Sequence, residues 1–397
     1  MLDRGKVIDA LQAKREQFTT FEGEQRRQSA AAEEKLAHFG RLSLEQVLQL
    51  LAERGVEWPG AEPTAELERA AGLRLPFAQR WQSHEDARAW AREVLTDAPI
   101  AAVDGSQIMP SKELSLPVAA IQIGWYINYH AAGGRYEKDV RFEVLAPDEL
   151  ASDDSGGEFG DWRVNQRRFV LECDQLCALM ARFAAEPEDR RPLCLFDGSL
   201  IISFAGQLRP ERSTPYVRAV EQLLATSEAL RVPLAGFVDS SSSKDVLTLV
   251  NIVTGPPYLS LTDGALLDAV LPEWGDRSPL FVCARGDMLS TQGRAEFYRN
   301  VVFSYVRLAQ NRLPARIEMP RWLWEEGRAQ QVLDLLRAEC VVGANGYPYA
   351  VETADAVAVL QMGDRDHFFA LFQQFAAAQG LSLNQSRKSL SKAARRA

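Results

Sequence analysis

The sequence predicts a mixed α/β sheet protein preceded by a helical region. Three observations carry that expectation. The first 95 residues are rich in Glu, Gln, Arg, Ala and Leu, with few chain breakers over Lys6–Leu42. Strand-like apolar runs begin near Pro99. Helical segments then separate several of these runs, the pattern of a sheet covered by helices.

Within the first region, Lys6–Leu42 carries apolar residues thinly at helical spacing (Val7, Leu11, Phe18, Phe21). This predicts a long helix that is exposed or packed on a partner. Ser43 is a cap candidate for a second helix ending at Arg54. Pro59, Gly60 and Pro63 mark a loop, and Ser83–Thr96 reads as another capped helix. Residues 1–95 are therefore expected to form a helical docking or dimerisation arm. The expected strands are Ile100–Val103, Val118–Tyr129, Val140–Val144, Leu193–Phe196, Leu234–Val238 and Leu280–Cys283. The expected helices are Trp162–Phe183, Tyr216–Leu230, Arg328–Glu339 and Phe368–Ala378. Together they define a domain over 96–380. The acidic, Gly-rich Ser152–Gly160 lacks the ligand order of an EF-hand and reads as a solvated connection. The tail, 381–397, carries Arg387, Lys388, Lys392, Arg395 and Arg396 and no acid. It suits either a phosphate backbone or a disordered, solubilising end.

Composition narrows the chemistry. The chain has 397 residues, 46% hydrophobic and 25% charged, enough for a sizeable core and two or three domains. A net charge of -9 is not the usual signature of a nucleic-acid binder, although a local basic channel can coexist with an acidic exterior. Five cysteines without a CxxC pair argue against disulfides or a zinc site; Cys173 and Cys177 read as small core residues. The four histidines show no paired-ligand spacing, so a metal site would be built from carboxylates and would favour magnesium or manganese. The start of the chain has no apolar signal core, and the apolar stretch Leu116–Ile127 is too short to span a bilayer. A cytoplasmic protein with no membrane partner is expected.

Two strings stand out: Ile100-Ala101-Ala102-Val103-Asp104-Gly105-Ser106 and Leu193-Cys194-Leu195-Phe196-Asp197-Gly198-Ser199. Each is an apolar run ending in Asp-Gly-Ser, so each aspartate is expected where a buried strand leaves its sheet. Asp-Gly is also a common hairpin turn. Against that reading, Gln107–Ser115 does not resume an alternating strand, whereas Leu200–Phe204 could. Phosphodiester hydrolysis adds negative charge to oxygens that are already negative. Two divalent ions about 4 Å apart meet that need, and several carboxylates must hold them. Glycine after the aspartate lets substrate approach the backbone, and Ser106 and Ser199 offer hydroxyls to phosphate. Glu172 lies in a mostly apolar stretch and needs a partner or a metal if buried, although a surface position fits equally. Asp239 follows the Leu234–Val238 run, with Ser240–Ser243 and Lys244 behind it for phosphate contact. Asp355 precedes Ala356–Leu360 and would close the site. Arg316–Pro320 reads as a strand end with a structural ion pair, and Tyr347-Pro348 as a turn toward a last strand. No Walker A string is present, so any ATP-driven movement needs another chain.

In this order, Val-Asp-Gly-Ser, the Leu171-Glu172 pair, Phe-Asp-Gly-Ser-Leu, Gly-Phe-Val followed by Ser/Lys, Arg316-Ile317-Glu318-Met319-Pro320 with Trp322, and Tyr-Pro-Tyr resemble the NurA nucleases over roughly residues 98–365. The resemblance implies an RNase H-like mixed sheet flanked by helices and manganese- (or magnesium-) dependent DNA cleavage, of 5′-3′ exonuclease type with possible single-strand endonuclease activity. It further implies a role in end resection at double-strand breaks, a homodimer, and a HerA-type hexameric ATPase as partner. Asp104, Glu172 and Asp197 fall on the family's metal-binding acids, and Tyr305 matches a family tyrosine near the site. Asp104 would bridge two ions, with Asp197 and Glu172 holding one or both. Asp239 and Asp355 would be further ligands or positioning groups. Asp355 stands where many family members have histidine; a carboxylate serves the same hard ion, and if it does not reach the site the chain becomes a weakened relative. The alternative is a non-catalytic RNase H-like module binding DNA ends or an ATPase ring. A small-phosphoester phosphatase ranks last, because the DxDx[TV] nucleophile string is absent.

Overall fold

A computed structural model of the chain describes residues 2–151 and 161–384. Residues 152–160, expected to form a solvated connection, and the basic residues of the tail lie outside the described residues. Among the described residues nine strands are present: β1 (Gly60–Pro63), β2 (Ile100–Ile108), β3 (Ala119–Asn128), β4 (Tyr136–Leu145), β5 (Leu193–Asp197), β6 (Leu234–Val238), β7 (Phe281–Ala284), β8 (Val301–Val306) and β9 (Ala315–Pro320). Parallel and antiparallel pairings both occur, so the class is the mixed α/β sheet expected. The chain divides into two compact units, with the boundary inside β6.

The first unit comprises residues 1–81 and 237–321. Here β1, β7, β8 and β9 pair antiparallel in that order. Every residue of β7, β8 and β9 is buried. Helix Leu44–Glu53 starts in a capping box between Ser43 and Gln46; this satisfies donors that have no partner within the helix. The helix Arg15–Phe39 buries only its last turns, through Ala32, Lys35, Leu36 and Phe39; its Phe18 and Phe21 are exposed. Strand β1 departs from the helical expectation for the N-terminal region: its four residues lie within the predicted loop signal, of which Gly60 and Pro63 are part, and find a partner in β7. The Arg316–Pro320 string forms β9. Arg316 Nε donates to Glu318 Oε1 at 2.6 Å with both groups buried, the expected structural ion pair.

The second unit comprises residues 82–236 and 322–397. Strand β2 pairs parallel with β5 on one side and antiparallel with β3 on the other, and β4 continues beyond β3. Helix Asp161–Phe183 packs on β2 and β3 and lies beside helix Pro210–Leu230. Helix Tyr349–Ala358 also packs on β2 and β3. Tyr347-Pro348 therefore leads into a helix, not a last strand. Proline supplies the extended N-cap (φ -64°, ψ 127°) from which that helix starts. Cys173, Cys194 and Cys340 are free and buried, as small core residues.

Candidate active site

The site is built on two strands of the second unit. Ile100, Ala101, Ala102 and Val103 are at most 2% exposed, which fixes β2 in the interior. The parallel register runs from Ile100 opposite Leu193 to Val103 opposite Phe196, where the pairing with β5 stops. One step further sets Asp104 beside Asp197 on strands about 4.8 Å apart. Asp104 is not at the end of its strand. β2 continues through Gly105 and Ser106 to Ile108, supported by β3 alone. Only the second Asp-Gly turns the chain: β5 ends at Asp197, and Gly198 takes φ +146°, a conformation open to glycine.

Two helices bring further acids. Across the antiparallel register Asp104 faces Gly124. A Cβ on Gly124 would lie 2.6 Å from the backbone nitrogen of Ala358, so the end of helix Tyr349–Ala358 rests on that glycine. Asp355, one turn earlier on the helix, is exposed and lies close enough to Asp104 to add to the rise of its pKa. Glu172 arrives on helix Asp161–Phe183 and is 6% exposed. A Cβ on Gly105 would stand 2.5 Å from Glu172 Oε1, so the glycine provides the space the carboxylate occupies. Arg168, one turn before Glu172, donates from Nη1 to the Gly105 carbonyl at 2.8 Å and stands 3.2 Å from Glu172 Oε1. That oxygen is buried without a hydrogen-bond partner.

Crowding shows in the electrostatics. Burial raises Asp104 to about 6, with Asp197 and Asp355 adding to the rise against a hydrogen bond from the Gly105 backbone. Burial raises Glu172 to about 8; Arg168 opposes the rise, and Asp104 and Asp197 add to it. Negative charge at one point is thus disfavoured by negative charge at the next. Tyr347, read from sequence as a turn residue, donates its hydroxyl to Asp197 Oδ1. The partners are 150 residues apart, so no local pattern reveals the pair.

The remaining expected residues are placed as follows. Ser106 Oγ accepts from Leu360 N at 3.1 Å. Ser199 Oγ accepts from Ile201 N at 3.0 Å, bracing the turn after β5. Asp239, Lys244 and Tyr305 belong to the first unit. Asp239 pairs with Arg312 at 3.2 Å. Lys244 is exposed, with Nζ 3.4 Å from Ser260 Oγ. Tyr305, expected at the substrate, is completely enclosed; its hydroxyl donates to Asp263 Oδ2 at 3.0 Å beside Arg316. A ring with no exposed surface serves that buried charge cluster, not a ligand.

The carboxylates are neighbours but do not converge on one point: among the described residues, no three His, Cys, Asp or Glu side chains are grouped to hold a metal ion. The donor chemistry nevertheless suits a hard divalent cation. The acids gathered here offer carboxylate oxygens, and Glu172 Oε1, 3.2 Å from Arg168 Nη1, accepts no hydrogen bond. Among the described residues no helix is long and apolar enough to cross a membrane.

Two substitutions test the packing. Gly105→Ala forces Glu172 and Arg168 aside, since its Cβ would also lie 2.8 Å from Arg168 Cγ. The activity of this site is expected to fall about a hundredfold, with an unchanged far-UV spectrum. Gly124→Ala pushes against backbone atoms of Ala358, which cannot swing away. A loss of about 1–3 kcal/mol in urea unfolding is expected.

A mixed α/β scaffold with acids gathered beside a strand end is an arrangement found in nucleases. A family model described as NurA domain matches residues 98–360, more than half of the chain. The chain belongs to the NurA domain family, a family of nucleases. No curated protein matches it. It is similar to a solved structure of NurA with manganese (13% identity, 70% of this chain and 89% of that one, TM-score 0.42). It is also similar to NurA bound to dAMP and manganese (12% identity, 68% and 87%, TM-score 0.41). A third similar structure is the catalytic domain of human Endonuclease V (14% identity, 75% and 95%, TM-score 0.34).

Proposed function

We propose that this chain is a divalent-metal-dependent deoxyribonuclease whose centre comprises Asp104, Glu172 and Asp197, with Asp355 alongside. The observation that supports this best is the raised state of Asp104 and Glu172, which burial and neighbouring acids make poor sites for uncompensated charge. A buried group of carboxylates needs cations or protons. Manganese or magnesium, as two ions, would offset charge on the phosphodiester and lower the pKa of water there. Asp104 and Asp197 would hold the ions, and Glu172 would supply the buried oxygen that lacks a hydrogen bond. Tyr347 would orient Asp197, and Arg168 would keep Glu172 directed at Gly105. Asp355 would take the position where many relatives carry histidine. Ser106 and Ser199 would contribute to substrate positioning.

The biological reading is 5′-3′ end resection during double-strand-break repair, in the cytoplasm, by a homodimer working with a HerA-type ATPase. Its support is the family membership and the absence of a nucleotide-triphosphate loop from the sequence. The test is degradation of end-labelled linear DNA in manganese, magnesium or EDTA, with and without the ATPase and ATP. Metal-dependent products from one end support the reading. Metal-independent DNA binding without cleavage under every condition would favour the non-catalytic module instead.

A further inference from the structure

Two helices of the second unit carry aromatic and basic groups that the carboxylate cluster leaves unused. The Trp162 indole lies under two guanidinium groups, with Arg163 Cζ 4.9 Å and Arg212 Cζ 4.4 Å from its ring centre. Arg163 Nε is buried and makes no hydrogen bond. Gln166 Nε2 donates to the Arg212 carbonyl at 2.6 Å, which fastens the two helices at this point. From the cluster outward, a series of edge-on ring contacts leads to the surface. Phe196, next to Asp197, meets Phe169 at 5.6 Å; Phe169 meets Tyr216 at 5.1 Å; Tyr216 meets Phe204 at 5.1 Å. Phe204 is 49% exposed. Trp162 precedes Phe169 by seven residues and Arg212 precedes Tyr216 by four, so each pair lies along one helix face. Trp162 precedes Glu172 by ten residues on a single helix. That is about 15 Å along the axis, the length of about four stacked nucleotides.

We propose that Trp162, Arg163, Arg212 and Phe204 form a track for single-stranded DNA leading to the carboxylate centre. The proposal rests on the nuclease reading and names how that site receives its substrate. Acids that repel phosphate need cations close by to retain a strand. A guanidinium group laid on an indole keeps its position at low entropic cost. An exposed phenyl ring offers a face to any base without regard to sequence. Arg163 takes the backbone, Arg212 braces the indole, and Phe204 stacks a base.

The test is fluorescence anisotropy of a labelled oligothymidylate in EDTA, where binding is read without cleavage, followed by cleavage in manganese. Phe204→Ala is expected to weaken binding about tenfold, and Phe204→Trp to restore it. Arg163→Gln is expected to reduce the slope of log affinity against log salt by about one. In both variants KM for single strands rises while kcat changes less than about twofold, which a purely structural role would not produce. Unchanged affinity in Phe204→Ala and Arg163→Gln, with wild-type cleavage intact, would overturn the track and leave the nuclease standing. Wild-type protein that binds through these residues but cuts nothing in manganese would overturn the nuclease and leave the track.

Discussion

Asp104→Asn is expected to reduce manganese-dependent DNA cleavage by about a thousandfold or more without unfolding the protein. The side chain sits where the register with β5 ends, beside Asp197 and within reach of Asp355. The amide matches the carboxylate in size, so packing against β3 survives and the loss isolates the charge. Far-UV circular dichroism and Tm check the fold, and isothermal titration with manganese checks the site. Weaker or absent manganese binding should accompany lost turnover. An Asp104→Asn protein that cleaves at the wild-type rate would remove Asp104 from the centre.

Glu172→Gln is expected to abolish cleavage while making the metal-free protein more stable at pH 8. The direction follows from proton linkage. Burial first, then Asp104 and Asp197, raises the folded-state value to about 8 from an ordinary 4.5. Between these values the folded protein holds a proton that the unfolded chain has lost. The stability linked to that proton is complete below pH 4.5 and is lost as pH rises through about 8. Asp104, raised to about 6 from 3.8, adds a smaller loss at lower pH. Metal-free wild type should therefore melt at progressively lower temperature from pH 5 to pH 8. Glutamine removes the larger contribution and flattens that decline. Manganese competes with the same protons, so it should raise wild-type Tm by several degrees more at pH 8 than at pH 5. A Tm of Glu172→Gln that tracks wild type across this range would contradict the buried, raised carboxylate.

The legible parts of the fold were those with a local signature. The apolar runs over β2, β3, β5 and β6 bury nearly every residue, and their hydrophobicity marks them without context. The repeated Asp-Gly-Ser strings marked Asp104 and Asp197, and the apolar neighbours of Glu172 marked it as an acid in an unusual setting. Sequence misjudged where β2 ends, because Asp-Gly reads as a terminator. Pairing with β3 carries the strand past it, a tertiary effect. β8, Val301–Val306, is buried throughout like β5 and β6, yet its run is interrupted by Ser304 and carries no Asp-Gly-Ser string to draw attention to it. Tyr305 drew attention through its motif, but its environment is the buried group of Arg316, Asp263 and Asp245. The signal for Arg168 was present, one helical turn before Glu172, and went unread. Tyr347 gave none, since its proline neighbour explains the local pattern and its partner lies far along the chain.

The most direct measurement is cleavage of end-labelled linear DNA by wild type and Asp104→Asn, side by side, in manganese and in EDTA. The account predicts degradation by wild type in manganese alone and none by the variant in either condition. Equal cleavage by both proteins, or cleavage by wild type that persists in EDTA, would contradict a metal-dependent centre built on Asp104.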